Sequence, residues 1–141
     1  MDTEALFRLA NVLALPGWIA LAAAPWRRAA LIRVARVVGA SLAIFYLVLL
    51  LAGSGSGLVG VDYSAAGLAA LFSRPEALLI GWVHYLAFDL WVGSWEAEEA
   101  ERTGVPHLLL LPCLFLTFLL GPVGLLAFLA ARAFTGRRAA A

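Results

Sequence analysis

A carboxyl group inside an apolar run is the residue of this chain whose chemistry most needs an explanation. Asp89 lies in Gly81-Trp82-Val83-His84-Tyr85-Leu86-Ala87-Phe88-Asp89-Leu90-Trp91-Val92-Gly93-Ser94-Trp95. An aspartate near the centre of a membrane helix costs about 2.5–3.5 kcal/mol on insertion scales, so it must face protein or water rather than lipid. If the run is helical, turning about 100° per residue, Trp82, Tyr85, Asp89 and Gly93 fall on one side. His84, Phe88, Trp91 and Trp95 fall on the other. Tyr85 precedes Asp89 by one turn and is placed to share a hydrogen-bond network with it. Gly93 permits close approach of another helix. These residue types suit acid–base work, in which a carboxyl donates a proton and an imidazole accepts one. His84 lies about 140° around the helix from Asp89, which argues against a direct bond between them. Asn11, His107 or a freed backbone carbonyl are its alternative partners across a bundle, and interhelical packing accounts for His84 about as well as chemistry does. The candidate catalytic residues are therefore Asp89, Tyr85, His84 and His107.

The elements that must position these groups are membrane helices. Of 141 residues, 64% are apolar and 13% charged, against about 25% charged in an ordinary soluble domain. The net charge of +1 offers no broad field for nucleic acid. Crossing the hydrocarbon takes roughly 20 mainly apolar residues. Four segments meet that length, at about 5–24, 34–52, 76–95 and 106–131, forming a single integral membrane domain over 1–141. The predicted fold class is all-α, a polytopic helical bundle. Pro16 predicts a kink in the first segment, and Gly121-Pro122 predicts a bend or interruption in the fourth. Pro75 and Glu76 suit the first turn of the third. The stretch Leu58–Phe72 is apolar but short and carries Asp62, so it reads as re-entrant or interfacial, with a fifth short span as the competitor.

Basic residues collect in cytoplasmic loops, which places Arg27, Arg28, Arg33 and Arg36 inside. Four spans leave five arginines on each side, whereas five spans give eight inside and two outside. The charge pattern and the segment lengths thus disagree. Asp2 and Glu4 beside Arg8 argue against a secretory signal, so the first segment is expected to be retained.

The remaining polar and aromatic residues separate into packing and ligand candidates. Asn11, Trp18, Trp82 and Trp91 are deep enough to line a groove for an extended apolar molecule. Trp26 and Trp95 sit at expected span ends, where an interfacial aromatic belt explains them. Glu96, Glu98, Glu99 and Glu101 read as a solvated interfacial face. Cys113, the single cysteine, reads as a small packing side chain rather than a redox nucleophile. With two histidines and no zinc-type spacing, neither a metal nor a cofactor is expected.

The segments also resemble a known family in order. Phe7–Asn11 with Pro16 and Trp18, Pro25, Leu71-Phe72 with Pro75, Gly81–Leu90 with Gly93, Pro112-Cys113 and Gly121-Pro122-Val123-Gly124 are similar to the abscisic-acid-deficient-four-like family. Its plant members are associated with neoxanthin synthesis. The resemblance implies an isomerase that opens a carotenoid epoxide to an allene by acid–base chemistry, Asp89 donating to the epoxide oxygen and His84 or His107 taking a carbon-bound proton. No segment resembles a plastid transit peptide, so the expected location is a bacterial inner membrane, multi-pass. The opposing reading is a non-catalytic protein that binds a pigment, quinone or lipid, or stabilises a membrane complex. The expected partner is a membrane lipid or isoprenoid ligand. A homodimer is compatible with either reading, because four helices enclose little room for a long molecule.

Overall fold

The computed structural model describes residues 2–52 and 62–139, with side chains described through 135. The elements are α1 (Thr3–Ala22), a 3₁₀ turn (Ala24–Trp26), α2 (Arg28–Leu51), α3 (Ala65–Phe72), α4 (Pro75–Thr103), α5 (His107–Leu120) and α6 (Pro122–Ala139). The fold is all-α, with α1, α2 and α4 each long and apolar enough to cross a membrane. Large apolar side chains such as Val12, Ile19, Val37, Ile44, Phe115 and Leu126 are exposed around the bundle. That girdle would be a liability in water and is the ordinary outer surface of a protein in lipid.

Local chemistry sets the helix ends. Asp2 caps α1 by accepting from the Ala5 amide at 3.2 Å, with Glu4 in the first turn. Pro75 opens α4 where its missing amide costs nothing, and Glu76 follows in the favourable first turn. Gly104, left-handed at φ 71°, closes α4. The helix continues through Pro16 and Pro112 in α1 and α5. The expected re-entrant stretch lies partly outside the described residues; its described part is the eight-residue helix α3.

Contacts along α4 define the packing directions. Phe7 and Asn11 of α1 meet Trp82, and Trp18 meets Gly93, so α1 and α4 run parallel. Tyr46 of α2 meets His84 and Arg36 pairs with Glu98, so α2 runs antiparallel to α4. With 29 residues, α4 is about 43 Å long at 1.5 Å per residue and reaches eight residues beyond the apolar segment expected to end at Trp95.

The segment expected as one helix over 106–131 is two, and they form a hairpin. Descending α4, Asp89 lies at Gly121, Glu96 at Thr117, Trp95 at Phe128 and Glu99 at Arg132. Both arms therefore run away from a tip at Gly121 in the same direction. Gly121 reverses the chain with φ 43° and ψ −94°, a backbone that side-chain-bearing residues rarely adopt. Pro122 then begins α6 without a main-chain donor to lose. Three residues beyond the tip, a Cβ on Gly124 would collide with the Thr117 main chain, so the arms touch through glycine. The anticipated interruption at Gly121-Pro122 is thus a full reversal.

Candidate functional site

The hairpin carries its tip to the midpoint of α4. Asp89, half-buried, projects at Gly121, where an added Cβ would stand 2.9 Å from Oδ1 and 3.1 Å from Oδ2. Oδ2 is buried without a hydrogen-bond partner. The tip is also where α6 begins, and a helix N-terminus presents partial positive charge. One turn earlier, the Tyr85 hydroxyl donates to the Phe118 carbonyl across a long 3.5 Å. The Tyr85 ring stacks on Trp82 at 5.2 Å between centroids. Trp82 in turn donates from Nε1 to Asn11 Oδ1 at 3.0 Å, while Asn11 Nδ2 donates to the Phe7 carbonyl at 2.9 Å. This chain of contacts holds the Tyr85–Asp89 side of α4 against α1 and α5.

An apolar groove lies between α1 and α5. Trp18 and Ile19 of α1 with Leu111, Leu114, Phe115 and Phe118 of α5 line a cavity of about 410 Å³. Trp18 meets Phe118 edge-on at 5.4 Å, and its Nε1 is buried without a partner. Phe118 joins the groove to the polar site, offering its ring to Trp18 and its carbonyl to Tyr85.

The histidines stand elsewhere. His84 is exposed on the opposite flank, stacked on Phe88 at 4.6 Å and tilted against Tyr46 at 5.6 Å. His107 Nε2 donates to the Ala22 carbonyl at 2.9 Å, tying the start of α5 to the end of α1. Neither joins Asp89. Of the ligand candidates, Asn11, Trp18 and Trp82 lie on the α1 side, whereas Trp91 lies towards α2. Among the described residues, no three His, Cys, Asp or Glu side chains lie close enough to hold a metal ion.

The acidic stretch after Asp89 corrects the solvated-face expectation. Glu96 is fully buried and its two carboxyl oxygens lie 2.9 and 3.1 Å from the Thr117 hydroxyl, sharing its single proton. Glu99 is buried as well, held by Arg102 at 2.7 Å to each oxygen and by Arg132 at 3.1 Å. Glu98 and Glu101 remain exposed. Trp95, expected in an interfacial belt, packs edge-on against Phe128 at 5.5 Å. The signal for Glu96 was available in its spacing. It follows Asp89 by two turns and continues the side defined by Trp82, Tyr85, Asp89 and Gly93.

Fold and site together define a polytopic α-helical membrane protein with an intramembrane acid set against a helical hairpin. The family model described as ABA DEFICIENT 4-like matches residues 5–128, and the chain belongs to that family. No curated protein and no solved structure matches it.

Proposed function

We propose that the chain isomerises a carotenoid or related isoprenoid within the membrane, with Asp89 as the proton-transfer group. The observation that carries this reading is the unpartnered Asp89 oxygen at the hairpin tip, one turn from Tyr85, whose partner Phe118 lines an apolar groove. A satisfied structural carboxyl would have a donor on each buried oxygen. On an epoxide, the Asp89 carboxyl gives its proton to the ring oxygen as the carbon–oxygen bond opens, forming a hydroxyl. The resulting carboxylate takes a proton from the neighbouring chain carbon, whose bonding electrons form the new double bond. Substrate and product then have the same composition, the carboxyl is regenerated, and no cofactor is consumed. Tyr85 is the positioning residue one turn away. His84 and His107 enter this scheme as bases only for a ligand that straddles α4 or extends past the end of α5.

The test compares Asp89→Asn with Asp89→Leu in turnover of an epoxycarotenoid, alongside gel filtration in detergent and thermal unfolding. Asparagine keeps the shape but cannot transfer the proton, so it should assemble normally and lose turnover. Full turnover by Asp89→Asn would sink the mechanism. The second reading, a non-catalytic binding protein, is favoured by the Asn11–Trp82 and Glu96–Thr117 pairs, which fix helix registry. Turnover by neither parent nor variants, with normal assembly, would favour it. A homodimer that completes the groove fits both readings and is visible by cross-linking in membranes.

Our reading of the topology is three spans and a re-entrant hairpin in a bacterial inner membrane. At about 21 Å, the 14 residues of α5 are short for about 30 Å of hydrocarbon. Arg27, Arg28, Arg33, Arg36, Arg102 and Arg132 then share one end of the bundle, towards which Arg137 and Arg138 also lie in sequence, leaving Arg8 and Arg74 at the other. That distribution obeys the cytoplasmic-arginine rule without a fifth span. Accessibility labelling of Arg28→Cys and Ala141→Cys, each in Cys113→Ser, should mark both from the cytoplasm. Labelling of the pair from opposite faces would exclude the hairpin topology.

A further inference from the structure

The flank of α4 opposite Asp89 carries a second groove, and its chemistry differs. Gly39, Ala40 and Ala43 of α2 with Ala87, Phe88 and Trp91 of α4 line a cavity of about 350 Å³. Phe88 and Trp91 are exposed at 60% and 52%, so the groove lies open on the outer surface. It ends at a cation. The Arg36 guanidinium sits over the Trp91 ring, 5.9 Å from its centroid, and pairs with Glu98 through one terminal nitrogen. That pair spans α2 and α4 and fixes the guanidinium at the groove's end, while Arg36 Nε remains buried without a partner.

One turn nearer the start of α2 on the same stripe, Arg33 is exposed, and its Nε donates to the Ala29 carbonyl of its own helix. Among the described residues, Arg27, Arg28 and Arg33 make no ion pair, whereas Arg102 and Arg132 share Glu99. These unpaired arginines all precede Arg36, at the start of α2 or just before it. Trp26, 91% exposed in the turn before α2, is the aromatic type that settles at headgroup depth.

We propose that the α2–α4 groove binds an anionic phospholipid of the surrounding bilayer, its phosphate on Arg33 and Arg36 and one acyl chain laid along Ala40 and Ala43 against Phe88 and Trp91. Arginine donors arranged beside an apolar channel match a phosphate joined to a hydrocarbon chain. Basic pockets between helices at the cytoplasmic side bind such headgroups. A zwitterionic lipid lacks the net charge to exploit the unpaired Arg33, and a neutral chain leaves that cation unanswered. The proposal is independent of what happens at Asp89, which lies on the other side of α4.

The probe is dioleoylphosphatidylglycerol against dioleoylphosphatidylcholine, titrated onto the full chain in detergent and read by native mass spectrometry. Phosphatidylglycerol should be retained about tenfold more strongly. Arg33→Gln should weaken it about fivefold, and Arg33→Gln with Arg36→Gln about 25-fold, while Arg8→Gln at the far end should leave it unchanged. Phosphatidylglycerol with brominated chains should quench tryptophan fluorescence in the parent and much less in Trp91→Phe. Equal retention of the two lipids, or unchanged retention in the double variant, overturns the site. So does quenching that survives Trp91→Phe in full. A polyprenyl phosphate that displaces phosphatidylglycerol at equal concentration overturns the bilayer-lipid assignment. Should loss of the Glu98 pair prevent folding of the double variant, Arg33→Gln decides alone, because Arg33 makes no contact outside its own helix among its described hydrogen bonds and ion pairs.

Discussion

The tip and the stem of the α5–α6 hairpin each face a carboxyl group of α4, and they treat it oppositely. In the stem, Glu96 is fully enclosed and its two oxygens share the one proton of the Thr117 hydroxyl. At the tip, Asp89 meets a glycine that supplies no side chain, and Oδ2 has no partner. Two acids two turns apart on one helix are thus divided into one fastened by a hydroxyl and one with an unpartnered oxygen. Burial alone does not mark a functional acid. What distinguishes Asp89 is that the residue packed against it is a glycine, which offers the carboxyl no side-chain donor.

The widest separation should come from removing proton transfer at each site in turn. Asp89→Asn should lower turnover of an epoxycarotenoid by a factor of about 10²–10⁴, the usual contribution of acid–base catalysis. Glu96→Gln, which keeps an acceptor for Thr117, should lower it less than about threefold. Equal losses in steady-state assays would erase the distinction between tip and stem.

Next is the hairpin itself. Gly124→Leu places a side chain where the Thr117 main chain runs, and overpacking of this kind costs about 1–3 kcal/mol or more. A drop in thermal midpoint in detergent, with weaker accumulation in membranes, is expected. Unchanged unfolding would show that the arms do not touch.

A smaller effect tests the stem's fastening. Thr117→Val leaves the buried Glu96 carboxyl without its donor, at a cost of about 1–3 kcal/mol, and Thr117→Ser should restore most of it. Denaturation by a harsh detergent titrated into a mild one reads this difference. Equal stability of the valine and serine variants would make the bond incidental.

The smallest effect lies just before α3, at its cap. Asp62 accepts from the Ser64 hydroxyl and amide at 2.7 and 2.9 Å, and those bonds hold its pKa below the ordinary 3.8. A lowered folded-state pKa contributes stability that is present above 3.8 and lost as the pH falls through the folded value. The Gly67 amide, which donates to Ser64 Oγ at 3.1 Å, should therefore lose hydrogen-exchange protection only in more acidic solution than pH 3.8. Asp62→Asn should show no such titration.

Much of this architecture was legible because lipid imposes a simple requirement on composition. Runs of apolar residues marked α1, α2 and α4, and the 100° spacing of Trp82, Tyr85, Asp89 and Gly93 marked one side of α4. That side does meet α1 and the hairpin. Pro122 and its flanking glycines marked a break, yet their residue types serve a bend and a reversal equally well. The sequence points the wrong way for Glu96 and Glu99, because charge density near a span end ordinarily signals water. Here α5 and α6 return alongside the last three turns of α4 and enclose them.

Taken alone, the amino-acid sequence determined that this chain is a helical membrane protein with an acid it must shelter, since both follow from the cost of polar groups in hydrocarbon. The arginine pattern belongs to it as well, and it fits the three-span reading proposed above because residues 106–131 form two helices. Only the tertiary structure decided which way α6 runs, and with it which acid is satisfied. That direction depends on one backbone torsion at Gly121 and on the close contact of Gly124 with Thr117, neither of which leaves a periodic trace in the chain. The separation of His84 from Asp89 was implicit in helix geometry. The distance of His107 from Asp89 was not, because it required knowing that α5 climbs from the Ala22 end of the bundle towards Asp89 and stops there.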